Sequence, residues 1–368
     1  MLYFNTIRGA HHTPFVHRPY SSIKYASSRL MLLIFLGLTF SVSFFIITNL
    51  NPLSSKVDSV DQLITDYDSE SALMHTTEPE NFNASELQAR LPLLRALYPG
   101  GFSALQSSEC SSNVSLLVII HSAVFHTAQR RAIRESWGSE LPPQVRLLFL
   151  VARDITGATA EDLHFGDVIS ANFTDTYRNL TLKTAAMLDW VTQNCPHIQF
   201  LLKCDDDVFI NMPLLLAALN QQVDTAIFGR VGSRWRPVRD ETSKYFLTDY
   251  EFAPSMFPNF TTGPSYVISG SLVSMLLEAA LNEPWIVLED VFLTGVVANT
   301  RLGVRLNNWP AMSNSRTFRS ACQAQRLISI HRVRPYEQFQ FLRRSKVDPD
   351  LSHGVLCYIC ELFSYILN

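Results

Sequence analysis

The sequence predicts an α/β protein, with a mostly parallel sheet flanked by helices, carried behind one N-terminal transmembrane helix. Three observations predict it. Short apolar, β-branched runs alternate with helix-patterned segments from about residue 111 onward, the order that builds a parallel sheet. The run "LMLLIFLGLTFSVSFFIITNL", Leu30 to Leu50, has no charged residue and is long enough to cross a bilayer. Finally, 47% of the 368 residues are hydrophobic, enough to bury a sizeable core in one large domain or two small ones. A net charge of −3 carries no nucleic-acid footprint.

The membrane segment comes first. Residues 1–29 form a tail with Arg8, Arg18, Lys24 and Arg29 and no acid. After the span come Asp58, Asp61, Asp66, Asp68 and Glu70 against a single Lys56. This asymmetry leaves the tail in the cytosol and sends the bulk into the lumen. A cleaved signal peptide is the other reading. The apolar run is too long for one, and no small-residue cleavage site follows. Residues 51–110, rich in Ser, Thr, Asp and Glu, read as a stem with one short helix in "ASELQARLPLLRALYPGG", ended by Pro99-Gly100-Gly101. Five glycosylation sequons, at Asn83, Asn113, Asn172, Asn179 and Asn259, all fall on the lumenal side. Six cysteines can pair in an oxidising lumen, but spacing alone does not say how.

The folded domain is expected over residues 111–345, followed by a tail at 346–368. "VSLLVIIHS" reads as a buried strand. "TAQRRAIRESWG" reads as a helix with Thr127 at its N-cap, Gly138 past its end, and Ile133 and Trp137 facing the core. "VRLLFLV" and "GDVIS" are further strands, "NLTLKTAAMLDWVTQNC" a helix, and "IQFLLK" a fourth strand. Asn211-Met212-Pro213 opens another helix.

Three aspartates, Asp205, Asp206 and Asp207, follow "IQFLLK" directly. They therefore sit at the carboxyl end of a buried strand, where open α/β sheets bind ligands. One such Asp would be an ordinary turn residue. Three between apolar flanks repel one another unless a cation neutralises them. Hard oxygen ligands suit magnesium or manganese, which bind carboxylates together with substrate phosphates. Neighbours in an extended segment face opposite sides, so Asp205 and Asp207 share a face and Asp206 turns elsewhere. No Walker A loop and no G-x-G-x-x-G is present. A lumenal metal–diphosphate site then points to nucleotide sugars, and transfer from one needs a base for the acceptor hydroxyl. Glu289 and Asp290, after the apolar run "PWIVL", offer it, although each alone is an ordinary helix-start residue. Arg130 and Arg134 lie at i, i+4 on one helix face. They are either a solvated face or a grip for a diphosphate.

In order, the blocks "RRAIRESWG", "FGDVISANFTDTYRNLTLKT", "KCDDDVFIN", "FPNFTTGPSYVIS" and "EDVFLTG" resemble glycosyltransferase family 31, the β-1,3-galactosyltransferases and β-1,3-N-acetylglucosaminyltransferases. The resemblance runs from about Ser111 to Phe341. It implies a Rossmann-like GT-A fold, a UDP-sugar donor, manganese and inversion at the anomeric carbon, in a Golgi type II membrane protein. It implies Asp290 as the base, with Glu289 beside it. Asp207 becomes the surest metal ligand, with Asp205 and the late histidine His331 as further candidates. Arg130, Arg134, Lys183, Asp205 and Asp206 fall near the nucleotide. Read alone, His331 is a packed or surface histidine and Lys183 an exposed helical lysine. The chain departs from the family at Cys204 and Ser136, where Thr is usual, at Thr261, and at Pro264 and Ser265 in a stretch that is normally glycine-rich. The resulting expectation is transfer of a hexose, galactose first, from UDP to a glycoprotein or glycolipid hydroxyl in β-1,3 linkage. The alternatives are N-acetylglucosamine as the donor sugar, a non-catalytic chaperone or lectin of the same fold, and a metal-dependent phosphohydrolase.

Overall fold

The computed structural model of the chain describes residues 91–103, 110–152, 164–315 and 325–346. The expected cytosolic tail, the span at 30–50, the stem up to residue 90, the Asn83 sequon and the tail at 346–368 beyond its first residue lie outside them. Among the described residues no helix is long and apolar enough to cross a membrane.

The elements run in this order: α1 (Leu94–Leu97), β1 (Phe102–Ser103), β2 (Leu116–His121), α2 (Thr127–Glu135), β3 (Val145–Ala152), β4 (Val168–Ala171), α3 (Leu180–Asn194), β5 (Phe200–Asp205), β6 (Phe209–Ile210) and α4 (Met212–Leu219). There follow β7 (Ile227–Gly232), β8 (Phe260–Ser269), α5 (Val273–Leu281), a π-type helix (Val291–Arg301), β9 (Leu306–Asn308), β10 (Met312–Ser313), β11 (Ser329–Ile330) and α6 (Pro335–Ser345). The main sheet has the order β1-β4-β3-β2-β5-β8-β7-β9. Strands β4, β3, β2 and β5 are parallel to one another, whereas β8 runs antiparallel to β5 and β7. The expected strands and helices of the first half are all present. Chain order reverses across β2, since β3 and β4 lie on one side of it and β5 on the other. The crevice at the carboxyl ends of β2 and β5 is thus the switch point at which such sheets bind ligands.

Alternation along the strands sorts the core into two layers. Leu117, Ile119 and Leu201 pack toward α3, α5 and the π-type helix. Leu116, Val118, Ile120, Leu202 and Cys204 pack on the other face, with Ile133, Trp137, Leu215 and Phe341 from α2, its following turn, α4 and α6. Odd-numbered residues of β5 therefore face the π-type helix, which decides where Lys203 and Asp205 point.

The folded body begins earlier than the expected boundary at residue 111. Leu94 is fully buried, and its N–H donates to the Glu283 carbonyl (3.0 Å) while the Trp285 N–H donates to that of Pro92 (2.9 Å). Tyr98 Oη donates to Asp189 (2.8 Å), and β1 pairs antiparallel with β4. The apolar "LPLLRAL" inside a polar stretch is what draws this part of the stem onto the domain, because Leu91 and Leu94 are buried there and gain by leaving water. Cys110 and Cys195 form a disulfide, with Cα atoms 5.2 Å apart, that ties this segment to the end of α3. Asn113, Asn172 and Asn259 are exposed, whereas the Asn179 side-chain amide donates to the Thr174 carbonyl (2.9 Å).

Candidate active site

Strand β5 ends at Asp205, and the chain turns through Asp206 and Asp207 into β6. Strand β6 pairs antiparallel with β11, which pairs with β10. This small sheet carries His331, just past β11, onto Asp207. The Val333 N–H donates to the Asp207 carbonyl (2.8 Å), and His331 Nε2 lies 3.5 Å from Asp207 Oδ2. His331 Nδ1 lies 3.1 Å from the Asn314 carbonyl. A carbonyl can only accept, so Nδ1 carries a proton, which leaves Nε2 as the nitrogen that could ligate a metal. One ligand atom from each of Asp205, Asp207 and His331 lies within 4.8 Å of the others. Two carboxylates and an imidazole fit a manganese-like divalent ion. Burial, and the crowding of Asp205 and Asp206, push the Asp207 carboxyl up against the opposing pull of His331. A bound cation would relieve that crowding.

Asp206 turns the other way. Its Oδ2 accepts from Ser122 Oγ (2.7 Å) and pairs with His126 Nδ1 (2.8 Å). Ser122 Oγ in turn accepts from Arg130, which also donates to the Ala123 and Val124 carbonyls. The residue at the N-cap of α2 is His126, not Thr127, and it makes no side-chain cap bond, because its ring is taken by Asp206. Asp206 and Arg130 thus shape the β2–α2 loop from beneath. Arg130 is 1% exposed, so neither arginine sits on the solvated face that i, i+4 spacing allowed. Arg134 donates two bonds to Asp167 (2.8 and 2.7 Å) and stacks over Phe149 and Phe165, which directs it to the start of β4. Lys183 is buried as well, against the exposed helical reading. Its ammonium donates to the Ser122 carbonyl (3.0 Å) and to both Asp175 oxygens (2.8 Å). Burial pulls its pKa down despite Asp175.

The second acidic spot opens the π-type helix. Asp290 caps it, Oδ1 accepting from the Val291 N–H (2.9 Å) and Oδ2 from the Gly263 N–H (2.8 Å). Glu289 is buried, with Oε2 accepting from Thr184 (3.0 Å) and Tyr266 (3.1 Å). Burial, then the neighbouring Glu289 charge, raise Asp290 to about 7, against the two backbone bonds and Lys203, which pull it down. A carboxyl poised there can accept a proton near neutrality.

Three residues that sequence reasoning did not single out complete the site. Lys203, 2% exposed, donates to Asp205 Oδ1 (2.7 Å), the Gly263 carbonyl (2.7 Å) and Glu289 Oε1 (3.0 Å). One ammonium therefore bridges the two acidic spots and holds them side by side. Burial pulls Lys203 down, but Asp205 and Glu289 together outweigh it and hold the ammonium charged. Gly263 allows the close approach: a Cβ there would lie 3.2 Å from both Asp290 Oδ2 and Glu289 Oε1. Gly263→Ala is expected to lower kcat about tenfold, since displacing a reacting group by a fraction of an ångström is costly, while the circular dichroism spectrum stays unchanged. Tyr177 is the third. It is 38% exposed, and partial burial pushes its phenol up, with the charges of Asp290, Asp205 and Glu289 adding to that. Its ring meets Tyr245 edge-on, with centroids 6.2 Å apart.

The galactosyltransferase family model matches residues 128–310. Human β-1,3-galactosyltransferase 5 is 31% identical over 250 residues, 64% of this chain and 80% of that protein. Rat β-1,3-galactosyltransferase 4 is 31% identical over 261 residues, 60% of this chain and 70% of that one. Human lactosylceramide 1,3-N-acetyl-β-D-glucosaminyltransferase is 31% identical over 282 residues, 70% of this chain and 73% of that one. Among solved structures, mouse xyloside xylosyltransferase 1 aligns over 53% of this chain and 84% of its own, at 9% identity and a TM-score of 0.30.

Proposed function

We propose, from the premise that this chain belongs to the galactosyltransferase family of β-1,3-glycosyltransferases (glycosyltransferase family 31), that it transfers galactose from UDP-galactose to a glycan hydroxyl with inversion. The observation that carries this reading is the buried Lys203 bridge, 2.7 Å to Asp205 and 3.0 Å to Glu289, which holds a metal-type cluster next to a raised carboxyl. In a GT-A arrangement Asp290 takes the acceptor proton as the hydroxyl oxygen attacks the anomeric carbon. The new C–O bond forms on the face opposite the departing UDP, whose oxygen leaves with the bonding pair. A divalent ion, manganese first, would be held by Asp205, Asp207 and His331 and would supply Lewis-acid neutralisation of the diphosphate. The names of the relatives support both galactose and N-acetylglucosamine as donor sugar. The uncharged run at 30–50, the basic residues before it and the acidic stem after it support a Golgi type II protein with its catalytic domain in the lumen.

A donor-by-acceptor screen of the full-length chain, with and without manganese, tests this. Metal-dependent transfer from UDP-galactose is the expected result. Transfer from UDP-N-acetylglucosamine alone would change the donor and keep the chemistry. Glycan binding without turnover of any donor would make the chain a non-catalytic relative.

A further inference from the structure

We infer that Lys203 is a positioning residue, which fixes the distance between the carboxylate Asp205 and the base Asp290 by donating at once to Asp205, to the Gly263 carbonyl and to Glu289. This rests on the reading of Asp290 as the base. An ammonium has three N–H donors, and here three acceptors take them, at 2.7, 2.7 and 3.0 Å. Nothing remains to touch a substrate, so Lys203 acts only through its partners.

Those partners form two rigid paths to Asp290. Along the first, Lys203 grips the carbonyl of Gly263, and the N–H of the same residue donates to Asp290 Oδ2 (2.8 Å). Along the second, Lys203 holds Glu289, the residue before Asp290, which Thr184 and Tyr266 also hold. The remaining donor holds Asp205, which also lies within the Asp207 and His331 cluster. Inversion needs the base and the leaving group on opposite sides of one carbon, at a fixed separation. Strand β5 and the π-type helix come from distant parts of the chain, and Lys203 is the hydrogen-bonded link between their acids. A lysine that only neutralised buried charge would not need to reach both acidic spots.

The test compares Lys203→Met with Glu289→Gln in the full-length chain, reading kcat, donor KM and the pH dependence of kcat. The titratable groups facing Asp290 are Glu289 on its own element, Tyr266 on β8, Lys203 on β5, and Tyr177 ahead of α3. Lys203→Met leaves two carboxylates beside the base without their cation. The acid limb of kcat is expected to move up by about one pH unit, and kcat to fall at least about tenfold, with a smaller change in donor KM. Glu289→Gln removes a like charge and is expected to move the limb down while kcat falls. A residue needed only for folding would not shift the limb in opposite directions in two folded variants. If Lys203→Met does not fold, Lys203→Arg decides, since it keeps the charge and changes the donor geometry: a kcat reduced at least about tenfold with a smaller change in donor KM supports the inference, and a smaller loss of kcat overturns it. Folded Lys203→Met with kcat within about twofold of the unsubstituted chain also overturns it. An unsubstituted chain inactive on every donor overturns the glycosyltransferase reading itself, and this inference with it.

Discussion

Asp290→Asn is expected to lower kcat by about 10²–10⁴-fold, the usual worth of a general base, with the donor KM near its original value. The substitution keeps the size of the side chain and one oxygen for the Val291 or Gly263 N–H. What it removes is the lone pair that accepts the proton. The pH dependence supplies the sharper check. Asp290 is raised to about 7 and, as the base of the proposed transfer, would work only when ionised, so kcat of the unsubstituted chain should fall as pH drops below about 7, the value set by burial and Glu289. The residual activity of Asp290→Asn should lack that limb. Stability runs the opposite way. A carboxyl whose folded pKa lies above its unfolded one destabilises the fold as pH rises through the window from the ordinary carboxylate value to about 7. The asparagine variant escapes that penalty but loses one backbone acceptor. These changes oppose each other, and Tm at neutral pH should move by only a few degrees. A variant that keeps full kcat would remove Asp290 from the reaction.

Asp207→Asn is expected to weaken divalent-ion binding by more than about 100-fold, because losing even a partner that orients a ligand costs 10–100-fold. Isothermal titration of the full-length chain with manganese reads this without any turnover. In the unsubstituted chain, manganese at a hundred times its Kd should stabilise the fold by about 2.7 kcal/mol, seen as a rise in Tm that the variant lacks. Transfer should fall with the binding. The substitution also removes one of three crowded carboxylates, so the metal-free variant should be no less stable than the metal-free original. Unchanged manganese affinity would take Asp207 out of the metal site.

Much of the site's layout is already written in particular residues. Alternation after the strand "IQFLLK" separates Asp206 from Asp205 and Asp207. The structure places Asp206 beneath the β2–α2 loop, on Ser122 and His126, and brings Asp205 and Asp207 to His331. The pair Glu289 and Asp290 was legible as a half-buried helix start. The ion pair of Arg134 was not legible, because the i, i+4 rule sees only its own helix. Its partner Asp167 lies 33 residues on, and no local pattern encodes that bond. The π-type helix at Val291–Arg301 was equally hidden, since an apolar run does not distinguish i→i+5 from i→i+4 bonding.

Taken alone, the sequence determined the alternation of strands and helices, the two clusters of acids, and the side of the sheet toward which each residue of β5 points. These follow from backbone sterics and the two-residue period of a strand, which neighbours a few positions away are enough to set. Only the tertiary structure decided that Lys203 is a buried bridge instead of a surface charge. Its acceptors on Gly263 and Glu289 are 60 and 86 residues distant, brought to it by the docking of β8 and the π-type helix on β5. Contacts across such separations depend on how whole layers pack, because burying an ammonium is tolerable only where other elements supply every acceptor it needs.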